Sequence, residues 1–110
     1  MIKEFLKETT EYEEKIPGFK NLKLRPRIIC KDGFSMSVQA SQCHYCEPRE
    51  DLDEGDYTEV EVGLLSQEEE LFTEYAEDHD DSIKTLYCFV PLEVIDEVIA
   101  KHGGLGEERQ

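Results

Sequence analysis

The run Leu24-Arg-Pro-Arg-Ile-Ile-Cys-Lys-Asp-Gly-Phe-Ser-Met-Ser-Val-Gln-Ala40 decides the fold. At its centre, Asp32-Gly33 is a hairpin signal, because both residues tolerate positive φ. Beyond the turn, Phe34, Met36, Val38 and Ala40 alternate with Ser35, Ser37 and Gln39. That is the period of a strand with one buried face. Before the turn, Leu24 to Cys30 reads as the partner strand. Pro26 assigns it to an edge, since proline cannot donate to a ladder.

Downstream, Tyr57 to Leu64 reads as a third strand with Thr58, Val60, Val62 and Leu64 inward and Glu59 and Glu61 outward. Ser66 with Glu69 fits a capping box, opening a short helix striped by Leu71, Phe72, Tyr75 and Ala76. It dissolves into Glu77-Asp-His-Asp-Asp81, a run too charged to pack. Ile83 to Val90 is apolar on both faces toward its end, which predicts a central strand. Pro91 opens the last helix at its first position. Leu92, Val94, Ile95, Val98 and Ile99 face the core, and Gly103-Gly104 end the helix.

Upstream, Ile2, Phe5, Leu6, Thr9, Tyr12 and Ile16 mark one face of an amphipathic helix that Pro17-Gly18 stops. The expected fold is α+β, in the order α-β-β-β-α-β-α. A four-stranded antiparallel or mixed sheet carries two to three helices, packed mainly on one face. Residues 1–104 form a single domain and 105–110 a flexible tail.

A chain of 110 residues builds one core, and its 35% charged residues predict a small core with a heavily solvated exterior. No stretch approaches the roughly 20 apolar residues of a membrane span. The charged first fifteen residues lack the apolar core of a secretory signal. A cytoplasmic location follows, with the four cysteines as free thiols or metal ligands in preference to disulfides.

Cys43-His44-Tyr45-Cys46 has the spacing of one half of a zinc site. No second CxxC or HxxxH completes it, so Cys30, Cys88, His79 or His102 would have to. No cofactor is otherwise expected, and the competing reading is a loop of free thiols. Tyr45 and Arg49 form a second candidate, for a small anionic ligand. No Walker loop, dinucleotide glycine motif, Gly-x-Ser-x-Gly or His-Glu-x-x-His is present, so an enzyme is the weaker expectation.

The net charge of −15 is segregated. Glu47 to Asp81 holds 16 acids and one base, Arg49, leaving 11 acids and 11 bases elsewhere. A direct nucleic-acid role is disfavoured, because that field repels phosphate. The plain reading is a solvated face; the sharper one is a row of carboxylates that imitates phosphate. Charges on such a surface act together within a Debye length of about 8 Å, steering a basic protein groove onto it. The expected contact set is Glu59, Glu61, Glu68, Glu69, Glu70, Glu74, Asp78, Asp80 and Asp81, and the expected partner is a host protein with a basic surface, a nucleic-acid-handling enzyme in the specific version.

Four stretches carry a resemblance: Gly33-Phe-Ser-Met-Ser-Val-Gln-Ala-Ser41, His44-Tyr-Cys-Glu-Pro-Arg49, Tyr57-Thr-Glu-Val-Glu-Val-Gly63, and Val90-Pro-Leu-Glu-Val-Ile95 through Lys101-His-Gly-Gly104. Over about Gly33 to Gly104 the chain resembles a group of small uncharacterised proteins of phages and other mobile elements of gut bacteria. The resemblance implies a genomic setting and no catalytic residues. In that setting, a small protein that blocks a host defence nuclease or another host machine is expected.

Overall fold

Gly33 adopts the positive φ that the hairpin requires, 98°, and the turn closes with Gly33 N–H donating to Cys30 O and Cys30 N–H to Phe34 O. The computed structural model describes residues 1–9, 24–52 and 54–106. Its elements are α1 (Ile2–Glu8), β1 (Ile28–Ile29), β2 (Ser35–Gln39), β3 (Glu59–Gly63), a 3-10 helix η1 (Glu70–Tyr75), β4 (Tyr87–Pro91) and α2 (Leu92–Lys101). The strands form one sheet in the order β1-β2-β3-β4 with every neighbouring pair antiparallel, an α+β fold.

Side-chain alternation sends Met36, Val38, Val60 and Val62 into one core, which Ile2, Phe5 and Leu6 of α1 share with Leu92, Ile95, Val98 and Ile99 of α2. Each fully buried side chain of this size contributes about 1.5–3 kcal/mol. Asp96 Oδ1 accepts from Ile2 N–H at 2.9 Å and so ties α1 to α2. The continuation of the first helix through Tyr12 and Ile16, and its stop at Pro17-Gly18, lie outside the described residues.

Several elements depart from expectation. The first strand begins at Ile28, not Leu24. Upstream, the Gln39 carboxamide takes the place of a strand: its Oε1 accepts from Arg25 N–H at 2.7 Å and its Nε2 donates to Arg25 O at 2.9 Å. The third strand is confined to Glu59–Gly63: Thr58 just before it is exposed, and Leu64 just after it turns outward because its positive φ of 50° breaks the alternation and buries Leu65 in its stead. Ser66 does not cap the next helix. Its N–H and Oγ pair with Ser35, while Glu69 is the cap and accepts from Leu71 N–H at 3.0 Å. The helix is a single 3-10 stretch.

β4 is an edge strand, not a central one, and Leu86 and Phe89 are exposed. A bulge shifts its register against β3 between Val60 and Val62, and Phe89 absorbs the extra residue with φ 53°. Pro91 ends β4 and caps α2 from outside. Leu105 bridges to Cys30, and Gly106 N–H donates to Ile29 O at 2.7 Å. The first two residues assigned to the tail thus line β1, and 107–110 lie outside the described residues. No helix among the described residues is long and apolar enough to cross a membrane.

Candidate functional site

Residues 66–86 form an acidic lobe with eight acids and one lysine, Lys84. Phe72 anchors it, fully buried with its ring 5.6 Å from that of Tyr87. Ala76 bridges to Tyr87, and Glu77 N–H donates to Leu86 O at 2.9 Å. The Glu77–Asp81 run is ordered by its own carboxylates. Asp78 accepts from Asp80 N–H, and Asp81 accepts from the N–H groups of Ile83 and Lys84. Asp and Asn side chains favour such local turns. Tyr87 Oη donates to Ser82 O, and Ser82 Oγ donates to Glu68 at 2.7 Å.

The lobe frames a cleft of about 500 Å³ lined by Glu68, Glu70, His79, Asp80, Tyr87 and Lys101, among others. Of the expected contact set, Glu68, Glu70, Glu74, Asp78 and Asp80 are exposed on this lobe, and Asp81 is half-buried.

Glu69 does not belong with them. It is 3% exposed and turned inward. Its Oε2 takes Lys101 Nζ at 2.9 Å together with Leu71 N–H, and its Oε1 lies 2.7 Å from His102 Nε2. His102 Nδ1 meets Asp32 Oδ2 at 2.6 Å, and Phe34 stacks on the ring at 4.2 Å. A carboxylate only accepts, so two carboxylates on one imidazole call for the doubly protonated ring. Burial lowers the His102 pKa, but the hydrogen bonds and charges of Asp32 and Glu69 outweigh it, and the net direction is upward. For Glu69, burial raises the pKa while Leu71 N–H, Lys101 and His102 lower it, and the net direction is downward. The hairpin turn sets this geometry, as Lys31 and Asp32 N–H donate to Gly104 O and His102 O at the end of α2. Reading the chain linearly missed this cluster. Its one sequence signal is Glu69 at a capping position.

Glu59 and Glu61 lie on β3, both half-buried, with Glu59 near enough to Tyr75 of η1 for its charge to act there. Glu61 is half-buried and accepts from Tyr45 N–H at 3.2 Å. Burial lifts its carboxyl above the ordinary value, against the Tyr45 N–H and Arg49, and Glu77 adds to the lift.

The Cys43–Cys46 segment is stitched around Ser41. The Cys46 thiol is buried and donates to Ser41 O at 3.1 Å. Ser41 Oγ accepts from Cys43 N–H and shares a 2.7 Å hydrogen bond with the buried His44 Nδ1. Burial, then the charge of Arg25, depress the His44 pKa. Cys43 is exposed. Among the described residues, no three His, Cys, Asp or Glu side chains gather as metal ligands. Tyr45 and Arg49 do come together, with the guanidinium 5.1 Å from the ring centre and Phe89 tilted against the same ring.

No known protein family, curated protein or solved structure matches this chain.

Proposed function

We propose that the chain is a non-enzymatic interaction protein whose acidic lobe, residues 66–86, seats on a basic surface of a partner protein. The observation that carries this reading is how the lobe distributes its charge. Of eight carboxylates facing one lysine in sequence, Glu69 alone is buried, and it draws Lys101 and His102 to itself. Glu68, Glu70, Glu74, Glu77, Asp78 and Asp80 remain exposed. Clustered charges of one sign raise the encounter rate with a surface of the opposite sign.

A protein groove that ordinarily holds nucleic acid is the basic surface with the fitting chemistry. The mobile-element resemblance favours a host defence enzyme in the cytoplasm as its owner. In this role the lobe acts as a decoy for phosphate, and no catalytic group is needed.

The test is capture by the tagged protein from nuclease-treated bacterial lysate, with washes of rising salt and elution by duplex DNA. The expected result is retention of nucleic-acid-handling proteins, released by salt or DNA and lost when Glu68, Glu70, Glu74 and Asp80 are all changed to Lys. Retention that ignores both salt and the charge reversal would exclude the decoy.

A further inference from the structure

Two described residues other than glycine hold a positive φ, Leu64 at 50° and Phe89 at 53°. Bulky side chains rarely adopt this region, and those that do are held there by their surroundings. Both residues are held. Arg27 Nη2 donates to Leu64 O at 2.5 Å, and Phe89 N–H donates to Tyr45 O at 3.1 Å.

Their side chains nevertheless face solvent, Leu64 being 66% and Phe89 41% exposed. Glycine in place of Leu64 would relieve the backbone at little packing cost, so the strain there is tied to displaying a large apolar group, while Phe89 also rests one side of its ring on Tyr45. Leu86, 37% exposed, directly precedes β4, the edge strand that carries Phe89. It packs on Gly63, where an added Cβ would lie 3.1 Å from its Cδ2, and Gly63 adjoins Leu64. Leu86 also lines a groove of about 300 Å³ with Glu77, Asp78, Asp81 and Lys84. Apolar groups therefore stand beside a rim with three carboxylates and one ammonium. Interfaces of this make-up draw affinity from their apolar anchors, while the charged rim supplies steering and specificity.

We propose that Leu64, Leu86 and Phe89 are the apolar anchors of a docking surface for an amphipathic, basic protein segment, whose charges meet Glu77, Asp78 and Asp81. This rests on the acidic-lobe reading and adds to it the chemical class of the partner segment. Charge complementarity selects a basic occupant, and the three anchors select one that carries apolar residues on the same face.

Two labelled peptides titrated against the full chain by fluorescence anisotropy test it: an amphipathic Leu/Lys helix and an oligolysine of equal charge. The helix is expected to bind about tenfold tighter, the difference that one well-packed apolar side chain supplies. The variant Leu64→Gly should lose most of that difference between the peptides while its melting temperature holds or rises. Equal binding of the two peptides by the unmodified protein overturns the anchors and leaves the acidic lobe standing. Binding of neither peptide overturns both. A variant that loses the preference together with thermal stability assigns Leu64 to the fold, and that also overturns the proposal.

Discussion

Oε1 of Glu69 and Nε2 of His102, from residues 33 positions apart, meet at 2.7 Å with both side chains almost excluded from solvent. Glu69 caps η1, His102 ends α2, and Asp32 on the other ring nitrogen belongs to the β1–β2 turn. One imidazolium thus joins three segments that share no sequence neighbourhood. Lys101 adds a second positive group on Glu69 and reaches Glu70 at 3.8 Å.

The cluster predicts how stability depends on pH. A folded pKa raised above 6.5 at His102 means that its contribution is complete below that value and is lost as pH rises through the folded one. The depressed carboxyls of Asp32, held mainly by Phe34 N–H and then by His102, and of Glu69 act on the other side. Their contribution is present above the ordinary carboxylate range and is lost as pH falls through the folded values. Melting temperature should therefore show a plateau with an acid and an alkaline decline. In His102→Gln the alkaline decline of this origin disappears; an identical decline in both proteins would assign it elsewhere.

Within the triplet Glu68-Glu69-Glu70, the three acids should behave differently. Glu69→Ala leaves a buried imidazolium short of a partner, a loss of about 3–5 kcal/mol. Glu68→Ala and Glu70→Ala should each stay within about 0.5 kcal/mol, as for exposed positions in general. Urea denaturation midpoints of the three variants decide the matter, and three equal losses would contradict the inward placement of Glu69.

Phe72→Ala should cost about 3–5 kcal/mol, the usual penalty for emptying a buried aromatic site. Because Phe72 is the fully buried residue of η1, the lobe should come loose before the sheet does. Limited proteolysis should then cut first within residues 66–86. Cleavage that starts at the β1–β2 turn would show that the lobe has another anchor.

Thiol reactivity should follow burial. Cys43 is exposed and Cys88 partly so, whereas Cys30 and Cys46 are buried. Burial pushes the Cys30 thiol up to about 11 and raises Cys46 as well, so both stay protonated and unreactive at neutral pH. Time-resolved alkylation read by mass spectrometry should label Cys43 first and Cys30 and Cys46 only on unfolding. Early labelling of Cys46 would mean that the Ser41 loop opens in the native state.

The hairpin, the alternation of β2 and the apolar stripe of α2 were legible because each is written in a local period. Phe34, Met36, Val38 and Ala40 all lie in the core as their spacing predicts. Leu86 to Phe89 misled for a physical reason: a run apolar on both sides fits a central strand equally well as an edge strand with a bulge. Only the shifted pairing with Val60 and Val62 separates the two. Leu64 misled in the same way, because one residue at positive φ ends an alternation that composition alone continues. Glu69 was expected as the acid of a capping box opened by Ser66 and as an exposed contact, whereas it is itself the cap of η1 and is buried. Its burial depends on His102, and nothing between the two residues announces that meeting. The acidic lobe was visible as composition, but not the inward turn of one carboxylate among eight.

Gly106 has a consequence for assembly. With its N–H on Ile29 O, and with a Cβ there destined to fall 2.8 Å from that oxygen, glycine lets the chain lie flat along the outer margin of β1. At the opposite margin, Ala76 and Glu77 occupy the start of β4, and the Phe89 bulge turns the next donor toward Tyr45. An unoccupied sheet margin is a template for another chain's backbone, the route to fibrils and to strand-swapped pairs. Among the described residues, both margins of this sheet are occupied where such templating would begin. At those positions the sheet is guarded against backbone-driven polymerisation, which leaves side chains as the means of contact there.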